Sequence, residues 1–297
     1  MANKVKVVLN SYGGRLSAQA KRDRVEQGLQ AAGVDYHLEL TTETGHGIEL
    51  ARQAALDGWP IVVAAGGDGT IHEVVNGLMQ AASEAEASTL GIIPLGTAND
   101  LADALEIPRN INRACQRLAA GKTRLIDIGQ VNDRYFANNS AVGLEPAISL
   151  AHDRMRWVKG NIRYILAALK SIMTAQCWTM RLTWHNGIYE GPVIIVSVGN
   201  SCRTGGEFYM YPDASLDDGL IDFVYGVGMS RWQILWLLPQ TFTGNHVNHR
   251  LVVYRQTTTL SITASPPTAI QADGEIIEDN ATEINYRVLP KKLRVIV

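Results

Sequence analysis

Asp68 stands inside the string Ala64-Ala65-Gly66-Gly67-Asp68-Gly69-Thr70, where glycines and a threonine surround a single carboxylate. Glycines at 66, 67 and 69 let the backbone approach a ligand without Cβ obstruction, and the N–H groups of such a turn and of a helix start favour phosphate oxygens. A carboxylate in that place would repel phosphate. Its useful roles are to hold Mg²⁺ or water beside the phosphates, or to orient an attacking hydroxyl. A second string, Pro94-Leu95-Gly96-Thr97-Ala98-Asn99-Asp100, repeats the logic about two dozen residues later. Each string alone also fits a plain strand-to-helix turn; together they describe a nucleotide phosphate site.

The elements that must position these strings are legible around them. Trp59-Pro60 followed by the apolar run at 61–65 reads as a turn and a buried parallel strand. Thr70-Ile71-His72-Glu73 has the spacing of a capping box, which predicts a helix from residue 71 to 82. Strands are expected at 5–9, 36–40, 61–65 and 90–94, with helices at 21–32, 47–56 and 71–82 between them. That alternation means a parallel sheet with helices on both faces, and ligands in such sheets bind beyond the carboxyl ends of the strands. After residue 127 the pattern turns to β, with strands expected at 135–141, 179–184 turning at Asn186-Gly187, 193–198, 220–225, 258–264 and 283–288. These predict a mainly β-sandwich second domain interrupted by helices near 160–174 and 230–242. The domains are drawn as 1–128, completed by 289–297, and 129–288.

GGDGT followed by PLGTAND resembles the diacylglycerol kinase-like catalytic domain, the domain of diacylglycerol, sphingosine and ceramide kinases and of soluble bacterial lipid kinases. The resemblance implies a nucleotide domain with an NAD kinase-like α/β fold, a β-sandwich second domain and an active-site cleft between them. NAD kinases also carry GGDGT, but follow it with a different dinucleotide-binding segment where this chain has Gly-Thr-Ala-Asn-Asp. The strand ending at Asn10 is similar to the family's opening strand, although the usual Pro-x-Ser-Gly is here Ser11-Tyr12-Gly13-Gly14. Thr41, before Gly45-His46-Gly47, matches a threonine that the family places near the nucleotide.

The resemblance assigns further residues. Gly66, Gly67, Asp68, Gly69, Thr70, Gly96, Thr97 and Asn99, with Thr41, would bind the nucleotide, and Asp100 would help Asn99 and Asp68 arrange metal, water and acceptor. Tyr211-Pro212-Asp213-Ala214-Ser215-Leu216-Asp217-Asp218-Gly219-Leu220-Ile221-Asp222 is similar to a family segment that binds Mg²⁺. The carry-over makes the Asp218 carboxylate a ligand together with the carbonyls of Ser215 and Leu220, in a role more structural than catalytic. From composition alone the same four aspartates read as a solvated acidic turn. Ala272-Asp273-Gly274-Glu275 is similar to the family's Asp-Gly-Glu, whose glutamate is the proposed general base. Glu275 is therefore the expected catalytic base, with Asp68 the competing choice; Asp273-Gly274 is also a hairpin signal.

At 297 residues two domains are expected, each able to bury its own core. With 27 basic and 29 acidic residues the net charge is −2, which argues against nucleic acid as a partner. Cys115, Cys177 and Cys202 show no metal or redox spacing and are expected as buried free thiols in a reducing cytoplasm. The first residues lack the apolar core of a signal peptide, and no apolar stretch approaches the roughly 20 residues needed to span a bilayer. The expectation is a soluble cytoplasmic protein with peripheral membrane association. Two segments have compositions suited to a headgroup region, the Arg/Lys/Trp/Tyr-rich residues 152–164 and the Ser230-capped helix carrying Trp232 and Trp236. Packing of each helix on the core is the preferred reading.

The sequence thus predicts a kinase that moves the γ-phosphoryl group of Mg-ATP to a hydroxyl of a glycerolipid such as diacylglycerol. ATP and a membrane lipid met at the bilayer surface are its expected partners, with a homodimer left open. An NAD kinase-type enzyme and a non-catalytic ATP-binding module are the alternatives.

Overall fold

The computed structural model describes residues 4–12, 17–82, 88–154, 161–174 and 176–297. Gly13 and Gly14 of the first loop lie outside the described residues, as do residues 155–160 of the aromatic and basic segment at 152–164. The chain forms two compact units, Met1–Ile128 with Pro290–Val297, and Gly129–Leu289.

The first unit alternates strand and helix: β1 (Val5–Leu9), α1 (Ala18–Ala31), β2 (Tyr36–Leu40), α2 (His46–Leu56), β3 (Ile61–Gly66), α3 (Asp68–Ala81), β4 (Thr89–Pro94), α4 (Asp100–Ala104), α5 (Ile111–Ala120) and the start of β5 (Thr123–Val131). β2 pairs with β1, β1 with β3 and β3 with β4, all parallel. The end of the chain adds a further parallel neighbour to β4 through Val295 opposite Leu90. β3 is buried at every position, as a strand covered on both faces must be. On one face Val7, Leu9, Val63 and Ala65 pack with Val25 and Leu29 of α1 and with Cys115 and Leu118 of α5. α2 and α3 pack on each other and against β1 and β3. Burying one such aliphatic side chain contributes about 1.5–3 kcal/mol, so this double cover is what holds the strand ends in place.

The second unit contains the end of β5, β6 (Arg134–Phe136), β7 (Asn139–Gly143), α6 (Leu144–Arg154), α7 (Asn161–Thr174), β8 (Trp178–Trp184), β9 (Gly187–Gly199), β10 (Ile221–Val227), α8 (Arg231–Leu237), β11 (Val252–Thr257), β12 (Thr259–Ala272) and most of β13 (Glu275–Ile296). Two short 3₁₀ turns, Leu238–Phe242 and Asn245–Asn248, follow α8. The first halves of β9 and β12 flank β8, and their second halves flank β7. The long strands therefore serve two sets of neighbours. Trp178, Met180 and Leu182 alternate with exposed residues along β8 and join Val196, Val198, Phe223, Ile262 and Tyr286 in one apolar core. An apolar inner face with polar residues outside is the signature of a sandwich layer.

Three expectations are corrected here. The loop before β9 is His185-Asn186, with Gly187 already the first strand residue paired to Trp184; a Cβ at Gly187 would lie 2.4 Å from the Trp184 ring, so the indole demands glycine there. Only Cys115 is buried, whereas Cys177 is exposed and Cys202 half-buried, because neither of the last two lies on a core-facing position. The α8 tryptophans do not pack on the core: Trp232 is 73% and Trp236 62% exposed.

Candidate functional site

At the carboxyl ends of the parallel strands, backbone pairing continues one residue past each strand. The Asn10 N–H donates to the Ala65 carbonyl at 3.0 Å, Thr41 to Leu9 at 3.0 Å and Leu95 to Gly66 at 2.7 Å. The first residues of three loops therefore share one edge with the end of β3. Asn10 Nδ2 donates to Thr70 Oγ1 at 2.9 Å, tying the end of β1 to the first turn of α3. Thr41 is buried there, and its carbonyl accepts the Ser11 hydroxyl at 2.6 Å.

The two glycine strings cross each other. A Cβ at Gly67 would lie 3.1 Å from Gly96 Cα, so the two backbones touch. Asp68 clamps the crossing: one carboxylate oxygen accepts the Asn99 N–H at 2.8 Å and the other the Asp100 N–H at 2.7 Å. These charge-assisted bonds also place a carboxylate at the start of α4, where the helix dipole favours it. Asn99 adopts a left-handed backbone, φ 57°, which asparagine tolerates better than most residues. Its side chain accepts the Gly96 N–H at 3.0 Å and donates to the Gly96 carbonyl at 2.9 Å, closing the loop on itself. Gly66, Gly67, Asp68, Gly69, Thr70, Gly96, Thr97, Asn99 and Asp100 are thus brought together beside the start of α3, where backbone N–H groups favour anions, while the N–H groups of Gly96, Asn99 and Asp100 are taken up within the crossing itself.

The expected capping box is absent from α3. The helix starts at Asp68 with Gly67 as N-cap and no side-chain cap, so Thr70 lies inside the first turn and turns to Asn10 instead. Glu73 accepts the N–H groups of Gly45 and Gly47 at 2.7 and 2.8 Å, capping α2 rather than its own helix.

Two cations brace this edge that no motif pointed to. Arg109 grips the Asp103 carboxylate with two nitrogens and donates to the carbonyls of Thr97 at 3.2 Å and Ala98 at 2.7 Å. The bond to Asp103 raises its pKa. Lys21, buried on α1, donates to the carbonyls of Asn10 and Tyr12, and burial lowers its pKa.

In the second unit, Glu275 opens β13 after the turn at Asp273 and Gly274, both with positive φ, and it is exposed. The turn is rigidly held. The Asp273 carboxylate accepts N–H groups of Ala137, Asn138 and Asn139 at 3.1, 2.8 and 3.0 Å, and Gly274 donates to Gln271 Oε1 at 2.7 Å. Gln271 and Asn139 each donate in turn to Glu145 Oε1 at 3.1 Å, and Ser197 donates to Glu145 Oε2 at 2.7 Å. Burial raises the pKa of Glu145, against the opposing pull of these donors.

Glu145 also lines an apolar cavity of about 370 Å³, within the roughly 300–1,000 Å³ of ligand pockets. Its walls come from α6, α7, β9, β10, α8 and the 3₁₀ turns, with Ile148, Leu169, Ile194, Val224 and Leu237 among them. His246 lines it too, 3% exposed, and among the described residues neither ring nitrogen makes a hydrogen bond of ordinary geometry, only a weaker interaction with the Met210 backbone. A buried polar group left unpaired costs about 1–3 kcal/mol.

The residues proposed for metal form one loop of the second unit. Asp218 is exposed, its Oδ1 accepts the Leu220 N–H at 2.9 Å across Gly219, and Ser215 donates to Asp217. Asp222 beside them is buried, accepts from Tyr254 and Gln256, and has its pKa pushed up to about 6, chiefly by burial. Among the described residues no group of three or more His, Cys, Asp and Glu side chains could hold a metal. The loop's oxygen set of one carboxylate and backbone carbonyls still suits Mg²⁺.

Residues 4–131 match the model of the diacylglycerol kinase catalytic domain, and residues 139–297 match that of the YegS C-terminal NAD kinase beta sandwich-like domain. A diacylglycerol kinase of Bacillus subtilis (strain 168) is 30% identical over 276 residues, 92% of this chain and 89% of the relative. The chain belongs to the diacylglycerol kinase family. A second family member, a diacylglycerol kinase of Staphylococcus aureus (strain MRSA252), is 27% identical over 93% of this chain and 87% of its own. The solved structure of a diacylglycerol kinase from Bacillus anthracis str. Sterne shares the fold, with a TM-score of 0.75, 22% identity and coverage of 99% of this chain and 96% of that one. No helix among the described residues is long and apolar enough to cross a membrane.

Proposed function

We propose that this kinase transfers the γ-phosphoryl group of Mg-ATP to the free hydroxyl of a diacylglycerol. As a member of its family it is an ATP-dependent lipid kinase; the acceptor, the metal and the residue roles are the proposal. The observation that carries it is the crossing of the two glycine strings, locked by Asp68 on Asn99 and Asp100, which supports a phosphate site beside the start of α3 at the strand ends. Gly66 to Thr70, Gly96 and Thr97 hold phosphates in this reading, Asn99 keeps the second loop closed, and Thr41 lies at the nucleotide's edge.

Glu275 is the general base. The role follows the resemblance of Asp273-Gly274-Glu275 to the family's Asp-Gly-Glu, and Glu275 is exposed at the end of a rigid turn, where a substrate hydroxyl can reach it. Phosphoryl transfer depends mostly on positioning and charge neutralisation, so the base supplies only part of the rate. Ser215, Asp218 and Leu220 would hold Mg²⁺, which when bound screens the mutual repulsion of Asp213, Asp218 and Asp222 and stiffens the loop.

The apolar cavity supports a lipid acceptor over NAD, because its walls offer an acyl chain what they would deny a charged dinucleotide. Exposed Trp232 and Trp236 sit on the helix that supplies cavity residues Ile234 and Leu237, a placement suited to peripheral contact with a bilayer interface. The test is incubation with Mg²⁺ and γ-labelled ATP over micelles of single lipid classes, in parallel with NAD. Label in diacylglycerol supports the reading, label in NAD moves the chain to the rival activity, and ATP binding without label supports a non-catalytic module.

A further inference from the structure

His246 is the polar residue of the cavity wall whose ring nitrogens make no hydrogen bond of ordinary geometry among the described residues, the Met210 backbone offering only a weaker contact. The 3₁₀ turn Asn245–Asn248 carries it inward, after Gly244 in a left-handed conformation, among Met210, Leu237 and Phe242. Glu145, the carboxyl group of the same wall, is the opposite case, with three donors already on its oxygens. Burial lowers the pKa of His246 against an opposing pull from the Met210 backbone, which favours the neutral ring, and a neutral imidazole carries one N–H. A diacylglycerol offers two kinds of polar group: the hydroxyl that reacts, and ester carbonyls that can only accept.

We infer that His246 donates a hydrogen bond to an ester carbonyl of the bound lipid, so that the cavity selects ester-linked over ether-linked glycerolipids. The inference rests on the lipid-kinase reading and adds a recognition element to it. It explains why a histidine with no well-formed hydrogen bond of its own stands in a wall otherwise fit for hydrocarbon. A dialkylglycerol of equal chain length fills nearly the same volume and keeps the reacting hydroxyl, but it lacks the carbonyl oxygen and offers the imidazole only a weaker, differently placed ether acceptor.

The test compares kcat/KM for 1,2-diacylglycerol and for the matching 1,2-dialkylglycerol in mixed micelles, using wild type, His246→Leu and His246→Gln. Wild type is expected to favour the ester by on the order of tenfold, the equivalent of one buried hydrogen bond. His246→Leu should lose that preference by slowing on the ester alone, and His246→Gln, whose amide still donates, should restore part of it. Equal use of both lipids by wild type overturns the inference, as does an ester preference that survives in His246→Leu. Should the leucine variant fail to fold, the wild-type comparison and His246→Gln decide the matter. A protein that phosphorylates neither lipid contradicts the kinase reading itself and takes the inference with it, an outcome distinct from phosphorylation without discrimination.

Discussion

Gly96 and Gly67 meet backbone to backbone: a methyl group built on Gly96 would stand 2.5 Å from the Cα of Gly67 and 2.8 Å from the Asn99 side-chain oxygen. Neither neighbour is the free end of a flexible chain, so the added carbon forces the loops apart. Gly96→Ala is expected to weaken ATP binding by at least tenfold, equivalent to about 1.4 kcal/mol, while the two cores, which it does not touch, keep the protein folded. Calorimetric titration with ATP, beside a thermal melt, checks this.

The buried Glu145 carboxyl gives stability a pH dependence of known sign. Its folded pKa lies above the ordinary 4.5 of the unfolded chain, so the folded state holds the extra proton as pH rises past that value. Stability from this group is therefore full below pH 4.5 and is lost as pH rises through the folded pKa. Glu145→Gln removes the titration and keeps an acceptor for Asn139 and Gln271. Denaturant unfolding between pH 4 and 8 should show a flatter profile for the variant than for wild type; parallel profiles would clear Glu145 of any role in it.

The Asp218 loop should bind Mg²⁺ independently of turnover. Millimolar Mg²⁺ is expected to raise the melting temperature of wild type, and chelation to reverse the rise. Asp218→Ala should melt at one temperature in both conditions. A rise that persists in the variant would place the stabilising cation elsewhere.

The strand ends and the crossing of the two glycine strings were largely legible in the sequence because local signals coincide there. Residues 5–9 and 36–40 read as strands and are strands, since short apolar runs between turn signals leave little else. Where spacing alone was used, tertiary partners won. Thr70 and Glu73 had the separation of a capping box, but Glu73 found the N–H groups of Gly45 and Gly47, more than twenty-five residues away, and Gly67 started the helix three residues early. β12 and β13 run to 14 and 22 residues, well past the strands expected there, because register shifts let a bent strand change faces and blur the period-two pattern. β5 went unread, and so did β11, whose first residues are only half buried. Arg109 and Lys21 gave no sequence signal, since a cation that bonds carbonyls of a distant loop leaves no motif. The cavity was invisible for the same reason, its walls being gathered from residues a hundred positions apart.

The most direct measurement is the turnover of Glu275→Gln on diacylglycerol, taken with its affinity for ATP. The account predicts turnover lowered by roughly 10² to 10⁴, as expected when a general base is lost, with ATP affinity unchanged because the nucleotide loops lie in the other unit. Wild-type turnover in the variant would remove Glu275 from the chemistry and contradict the account.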